Sequence, residues 1–351
     1  MSFINKPRVE YAGTVRNGLG LTLRDYEGSM STLCAGCGHD SVSAALVQTF
    51  FELDVSQEQV AKMSGIGCSS KTPAYFMRGS HGINTVHGRM PAVATGAAAA
   101  NCKLLNIGVS GDGDTLSIGL GQFVHAIRRN LNMLYVIENN GVYGLTKGQF
   151  SASSDVGSAA KKGEVNQQPP IDPALMAITL GASFVARGFS GDKDQLVPLM
   201  KAAMKHRGFA LIDVLSPCVT FNDHETSTKS YANVRKNEIE MIVADFVPHA
   251  EAITAESKAG QITPVTLHDG SRVLLHRAAT DFDPTDRGNA FSHLVGCQSR
   301  GEIPTGLLYL DEGRPDMHQL AQTVDEPLFD QAFSTLCPGG DALDKLQSRW
   351  R

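Results

Sequence analysis

The sequence predicts an α/β protein built on a doubly wound, mostly parallel sheet with a C-terminal extension, and three observations carry that expectation. Apolar runs of buried-strand type alternate with helical patterns of about 10 to 15 residues between residues 40 and 215, the rhythm of strands joined by crossover helices. Glycine supplies 35 of the 351 residues, about a tenth against a usual ~7%, so the backbone turns tightly or approaches something closely at many points. Apolar residues make up 42% and charged ones 19% of the chain, which gives ample core and excludes a disordered or coiled-coil composition.

Taken in order, residues 1–30 read as an irregular arm and residues 31–225 as the main domain. Residues 40–54 form an amphipathic helix capped by Asp40, with apolar positions recurring at three and four. Ser56 and Gln59 resemble a capping box opening a short helix that ends at Gly65. Pro91 suits the first turn of a helix through the small residues up to Ala100. Residues 104–110 are a strand, 116–129 a helix, and 131–138 a strand of fully buried type. Helices are expected at 173–180 and 195–205, and strands at 183–186 and 209–215. From residue 226 onward the character changes. Residues 234–246 read as a charged amphipathic helix, His268-Asp-Gly-Ser as the turn of a hairpin, and the last 75 residues as a patchy arm that wraps a partner.

The 36 acidic and 31 basic side chains leave a formal charge of −5, which gives no footing for a nucleic-acid binder. The longest stretch free of Asp, Glu, Lys and Arg is the 14 residues 173–186, short of the ~20 needed to span a membrane. With no apolar signal core near the start, the expected compartment is the cytoplasm. Seven cysteines, an odd number in a reducing compartment, make a disulfide framework improbable, and each is by default a small buried hydrophobe. Cys34 and Cys37 depart from that default, because C-A-G-C-G-H lets glycine-rich backbone curl around whatever the sulfurs hold.

The strongest chemistry follows the strand at 104–110, which runs into Gly111-Asp-Gly-Asp114; the next strand ends, 27 residues after Asp112, in Asn139-Asn140. A dinucleotide fingerprint would need a third glycine where Leu116 stands, and no P-loop occurs. What remains is a carboxylate and a carboxamide at the carboxyl ends of two strands, in the crevice where open sheets bind ligands. Such hard oxygens suit Mg²⁺ shared with phosphate oxygens, and the following helix N-terminus favours a diphosphate. The competing reading is an ordinary Gly-Asp turn.

G-D-G followed at this distance by N-N resembles the thiamine diphosphate motif. The longer text over residues 111–149, together with C-A-G-C-G-H, S-G-I-G-C-S-S, H-G-R and Ser216-Pro-Cys218, resembles the β subunit of the 2-oxoacid:ferredoxin oxidoreductases, covering roughly residues 30 to 220. F-D-P-T-D-R and T-G-L-L-Y in the tail are similar to the longer β subunits assigned to 2-oxoglutarate enzymes.

The resemblance implies a sheet of the thiamine-diphosphate-binding type. It implies Mg²⁺ on Asp112, Asn140 and the Val142 carbonyl, and diphosphate contacts from Gly113, Asp114, Gly144 and Leu145. Ile66, Gly67, Cys68, Ser69, His87, Gly88 and Arg89 would line the rest of the cofactor. It also implies one 4Fe-4S cluster on Cys34, Cys37, Cys68 and Cys218; four thiolates are the usual complement, but this spread is unlike a ferredoxin run and spacing alone does not reveal it. Lys71 is the candidate for a substrate's distal carboxylate. The implied reaction is reversible oxidative decarboxylation of a 2-oxoacid, 2-oxoglutarate before pyruvate, with coenzyme A taking the acyl group and ferredoxin the electrons. No Glu in residues 30–225 stands in a motif for activating the aminopyrimidine, so a larger α subunit is expected to supply it in a heterodimer. The alternatives are a pyruvate or other 2-oxoacid enzyme, a non-oxidative thiamine decarboxylase or synthase, a relay subunit without cofactor, and a zinc-stabilised binding module.

Overall fold

The computed structural model describes residues 11–159, 163–224, 226–247, 262–266, 272–277 and 282–350. Helix α1 (Gly38–Glu52) starts from Cys37, two residues earlier than expected, and buries Val42, Ala45, Leu46, Thr49 and Phe50 along one stripe. Asp40 falls in its first turn instead of capping it, where its charge still complements the helix dipole. The helix expected after Ser56 is a correction. A single 3₁₀ turn at Gln57–Gln59 leads into strand β1 (Val60–Ser64), buried along its whole length between two neighbouring strands. Five residues gain more from two ladders than from one helical turn.

Strand β2 (His81–Asn84) is followed by α2 (Met90–Ala100), β3 (Leu105–Gly111) and a π-helical turn at Gly113–Ile118. That turn splits the expected helix at 116–129, whose regular part is α3 (Leu120–Arg128). Then come β4 (Met133–Asn139), the two-residue strands β5 (Val142–Tyr143) and β6 (Gln149–Phe150), α4 (Pro173–Leu180), β7 (Phe184–Phe189), α5 (Lys193–Lys205) and β8 (Phe209–Leu215). Helices at 173–180 and 195–205 and the strand at 209–215 are thus where the sequence placed them.

Beyond residue 225 the sheet continues. The helix expected at 234–246 is short, α6 (Tyr231–Asn237), and the chain then extends as β9 (Glu238–Val247). Strands β10 (Ile262–Thr266) and β11 (Arg272–Arg277) pair antiparallel as the expected hairpin, its turn lying outside the described residues. The last 75 residues are less patchy than expected: α7 (Arg287–Arg300) packs beneath β12 (Ile303–Leu310), which enters the sheet itself. Short helices α8 (Met317–Ala321), α9 (Phe333–Leu336) and α10 (Gly340–Gln347) end the described chain.

The sheet order is β10-β11-β9-β12-β7-β8-β4-β3-β1-β2. Every pairing from β7 to β2 is parallel, and β12 lies antiparallel to β7 and parallel to β9. After β1 the chain moves out to β2, and after β3 it moves the other way to β4. The crevice opened by such a reversal, outside the carboxyl ends of β1 and β3, is where α/β sheets bind ligands. Parallel pairing also delivers the segments after β1, β3, β4 and β8 to that same edge. Among the described residues, no helix is long and apolar enough to cross a membrane.

Candidate active site

Four strand ends build the site. The loop after β1 passes so close to the turn after β3 that a Cβ on Gly65 would stand 1.8 Å from Asp114 Oδ2, and one on Gly113 would stand 2.5 Å from the Tyr143 ring. Only glycine permits either approach. Asp114 then braces three loops: its Oδ1 accepts from the Ile66 N–H at 3.2 Å and the Gly88 N–H at 2.8 Å, and its Oδ2 accepts from Ser110 Oγ at 2.6 Å. His87 Nδ1 lies against the same Oδ1. With its carboxylate so engaged, what Asp114 can offer an anion is its backbone N–H.

Asp112 is 1% exposed, and its Oδ2 accepts hydroxyl hydrogen bonds from Ser151 and, at 2.6 Å, from Ser153. Its Oδ1 meets only the longer Asn140 N–H contact, 3.3 Å. Asn140 is buried beside it, its Oδ1 accepting from the Val142 N–H at 3.0 Å and its Nδ2 facing His39 Nε2 at 3.5 Å. Because an amide donor faces Nε2, His39 carries its proton on Nδ1, which donates to Ser216 Oγ at 2.6 Å. Burial pulls the imidazole down to about 4, so it is neutral at pH 7. Glu138, wholly buried 3.6 Å from that ring, takes two hydroxyl contacts from Thr72 (2.9 and 3.0 Å), and burial pushes its carboxyl well above the ordinary value. Burial thus works against charge on both side chains, which lie together beside Asn140.

One cavity is lined by His39, residues 66–69, His87, residues 111–114, Glu138, Asn140 and residues 142–146. It joins most of the residues singled out in the sequence. Gly88 reaches it through Asp114 only, Arg89 turns away to donate to Gln122 Oε1 on α3 at 2.8 Å, and Lys71 points to the Thr32 carbonyl at 3.5 Å. The cavity is small, about 60 Å³, whereas another, about 400 Å³, lies against Arg187 and Lys229. Size is a poor guide here, since the paired strand-end oxygens line the smaller one.

The cysteines gather beside it. A Cβ on Gly144 would stand 3.6 Å from both Cys68 Sγ and Cys218 Sγ, so glycine leaves open a space that two sulfurs face. Cys34 and Cys37 close one turn, the Cys37 N–H donating to the Cys34 carbonyl at 3.0 Å. Burial pushes the Cys37 thiol up to about 12, with the nearby Glu138 and Cys218 adding to it. Burial likewise raises Cys68 and Cys218, helped in both by Cys34. The four sulfurs thus feel one another, and the N–H groups of Thr220, Phe221 and Asn222 favour the charged form of Cys218. Cys34 is exposed and the other three are half-buried, and such thiols shed their protons when a metal binds them. Among the described residues, no three His, Cys, Asp or Glu converge as ligands of a single ion. Cys102 contacts the Asp325 carbonyl at 3.3 Å, Cys297 lies on α7 beside Arg300, and Cys337 is exposed in the tail.

Ser151, Ser153, His39, Glu138 and Tyr143 are the site residues that sequence reasoning did not single out. The serines lie in a loop with no periodic signal, and Glu138 was absorbed into a buried strand. Only the position of His39, directly after the C-A-G-C-G run, offered a clue.

Fold and site together define a thiamine diphosphate-binding domain, and residues 62–214 match the family model described as the thiamine pyrophosphate enzyme, C-terminal TPP binding domain. The 2-oxoacid:ferredoxin oxidoreductase subunit beta of a Sulfolobus species is 46% identical over 194 residues, 55% of this chain and 64% of that protein. The matched part thus spans less than two thirds of that relative's length. The 2-oxoglutarate synthase subunit KorB of Methanothermobacter marburgensis is 35% identical over 208 residues, 58% of this chain and 71% of that one. A solved 2-oxoglutarate:ferredoxin oxidoreductase from Magnetococcus marinus, with 2-oxoglutarate, coenzyme A and succinyl-CoA bound, superposes with a TM-score of 0.70 at 31% identity, covering 90% of this chain and 94% of that one. The chain belongs to the β-subunit family of the 2-oxoacid:ferredoxin oxidoreductases.

Proposed function

We propose that this chain is the cofactor-bearing β subunit of a cytoplasmic 2-oxoglutarate:ferredoxin oxidoreductase, working with an α subunit in a heterodimer. The observation that carries the reading is the pair of buried oxygen ligands, Asp112 and Asn140, at successive strand ends in a cavity whose wall also holds Cys68. Thiamine diphosphate, when bound, supplies the carbanion and electron sink for decarboxylating a 2-oxoacid. Asp112, Asn140 and the Val142 carbonyl hold Mg²⁺, with Gly113, Asp114, Gly144 and Leu145 presenting backbone to the diphosphate. Cys34, Cys37, Cys68 and Cys218 would hold one 4Fe-4S cluster, which would supply one-electron chemistry for a ferredoxin partner.

At the rim of the cavity Ile66 and Leu145 are exposed, as is Val86 beside His87. Exposed apolar side chains grouped at a site mark a contact surface. The α subunit covers this rim, bringing the activating glutamate and the coenzyme A site. Lys71, two residues beyond Ser69, would bind the distal carboxylate of the substrate by leaving the Thr32 carbonyl it now faces.

The Magnetococcus structure names 2-oxoglutarate and succinyl-CoA, which supports the dicarboxylate. A broader reading, in which several 2-oxoacids serve, is favoured by the general name of the Sulfolobus relative. Anaerobic purification with the co-purifying subunit, followed by viologen-dye reduction with 2-oxoglutarate and pyruvate, decides between them. Turnover with 2-oxoglutarate well above pyruvate supports the first reading, equal turnover the second, and no turnover with any 2-oxoacid overturns both.

A further inference from the structure

The geometry points to the loop Ser151-Ala-Ser-Ser154 as the brace that positions the metal's protein ligands, and we propose that Ser151 and Ser153 are positioning residues for Mg²⁺. This rests on the reading of Asp112, Asn140 and Val142 as the ligand set. Three hydroxyls of one short loop reach both halves of that set. Ser151 and Ser153 each donate to Asp112 Oδ2, while Ser154 donates to the carbonyl of Gly141, the residue between Asn140 and Val142. The loop is locked on itself, the Ser151 N–H donating to Ser154 Oγ at 2.9 Å and the Asn166 side chain to the Ser154 carbonyl at 3.0 Å. All three serines are buried, at 6%, 1% and 1% exposure.

The consequence for Asp112 is an asymmetric carboxylate. Two hydroxyls hold Oδ2, so Oδ1, with its single longer contact, is the oxygen left to turn toward a cation. The brace is itself anchored. The one Ser153 hydroxyl proton is shared between Asp112 Oδ2 and Asn139 Oδ1, 2.9 Å away, and the Asn139 amide is oriented by donating to Asp213 Oδ1 at 3.0 Å. Asp213 in turn accepts from Arg187 Nε at 2.8 Å, and Arg187 donates to Asp172 at 2.6 Å. Buried groups on β4, β8 and β7 therefore stand behind the serines. Hydroxyls that merely satisfied a loop turn would not converge on one carboxylate oxygen; partners of a ligating carboxylate typically change metal affinity 10- to 100-fold when removed.

The test uses the holoenzyme stripped of metal by chelation, with Mn²⁺ as the probe under saturating thiamine diphosphate and free Mn²⁺ read by paramagnetic resonance. Ser151→Ala/Ser153→Ala is expected to weaken Mn²⁺ binding about 10- to 100-fold, with the iron–sulfur absorbance per chain unchanged. Ser153→Thr, which keeps the hydroxyl, should recover most of the affinity that Ser153→Ala loses. If the double variant does not fold, the single Ser153 variants decide by the same comparison. Asp112→Ala is the control for the underlying reading. Mn²⁺ affinity retained in Asp112→Ala sinks the ligand assignment and the brace with it. Affinity lost in Asp112→Ala but within twofold of the parent in the serine variants overturns the brace alone.

Discussion

The Lys62 ammonium lies 2.7 Å from the Met77 backbone carbonyl oxygen and 2.6 Å from that of Phe76, with the lysine only 7% exposed. Met77 has a φ of +43°, a conformation that side-chain-bearing residues rarely adopt. Lys62 also stands 5.2 Å from the centre of the Phe76 ring. It therefore clamps the strained end of the segment that carries Cys68 and Ser69 away from β1.

Removing the clamp takes the Lys62 donor from the Phe76 carbonyl and leaves Met77 held by the Ser80 N–H and hydroxyl alone. Lys62→Met is expected to destabilise the fold by about 1–3 kcal/mol, the cost of leaving a buried polar group unsatisfied, read from urea midpoints near pH 7.5. The pH dependence carries a sign. Burial pulls the folded lysine from 10.5 down to about 8, so between those values the unfolded chain binds a proton that the folded one does not. Stability from this residue rises with pH across that window, by up to about 3 kcal/mol. A neutral amine still has two N–H groups for two carbonyls. The gap between the parent and Lys62→Met should widen from pH 8 to 10; a gap that narrows would show that the charge is what holds Met77.

Asp112→Ala should abolish retention of thiamine diphosphate while leaving the fold intact, because the partners of Asp112 are the Ser151 and Ser153 hydroxyls and the Asn140 N–H, outside the apolar core. Cofactor content after gel filtration and the circular dichroism melt measure the two halves of that statement. Full thiamine occupancy would remove Asp112 from the metal site.

Serine substitution at each of the seven cysteines should bleach the protein at Cys34, Cys37, Cys68 and Cys218 only. Iron content and the absorbance near the brown band are the measurements. Bleaching by Cys102→Ser together with colour retained by Cys218→Ser would show the ligand set to be wrong.

Arg187→Met should cost about 3–5 kcal/mol in unfolding free energy, the usual penalty for stripping one partner from a buried ion group. Arg187 is 5% exposed between Asp172 and Asp213. Burial works against charge on both carboxyls, yet Arg187 and the Leu175 N–H bring Asp172 below its usual value, while Asp213 stays above. Asp172 is thus the principal counter-ion, and Asp213→Asn should be much milder than Arg187→Met in the same urea titration.

Much of this was legible in the sequence because its motifs sit on strand ends. G-D-G and N-N follow apolar runs that could only be buried strands, and parallel pairing then makes them neighbours. Lys62 and Ser151 were not legible. V-A-K-M-S reads as the end of a short helix after Ser56, and only the fold shows the Phe76 and Met77 carbonyls that face the Lys62 ammonium. The stretch E-I-E-M-I-V-A-D-F read as a helical face because acidic residues punctuate it; the ladders of β11 and β12 on its two sides decide otherwise. Arg89 illustrates the opposite failure, a residue in a recognisable motif whose side chain goes to α3.

The place of β12 between β7 and β9 has a practical consequence for anyone wishing to make a minimal thiamine-binding fragment. Cutting the chain after residue 225 would keep every proposed metal and cluster ligand, but it would strip β7 of its outer neighbour. That strand runs F-V-A-R-G-F and is buried throughout, so a truncated product would present a long apolar edge with unmet hydrogen-bond donors and acceptors. Such a fragment should be recovered as inclusion bodies or paired edge to edge, with its ligands intact in sequence and useless in practice. The strand that covers this edge begins 85 residues after Cys218, far along the chain from the residues it shields.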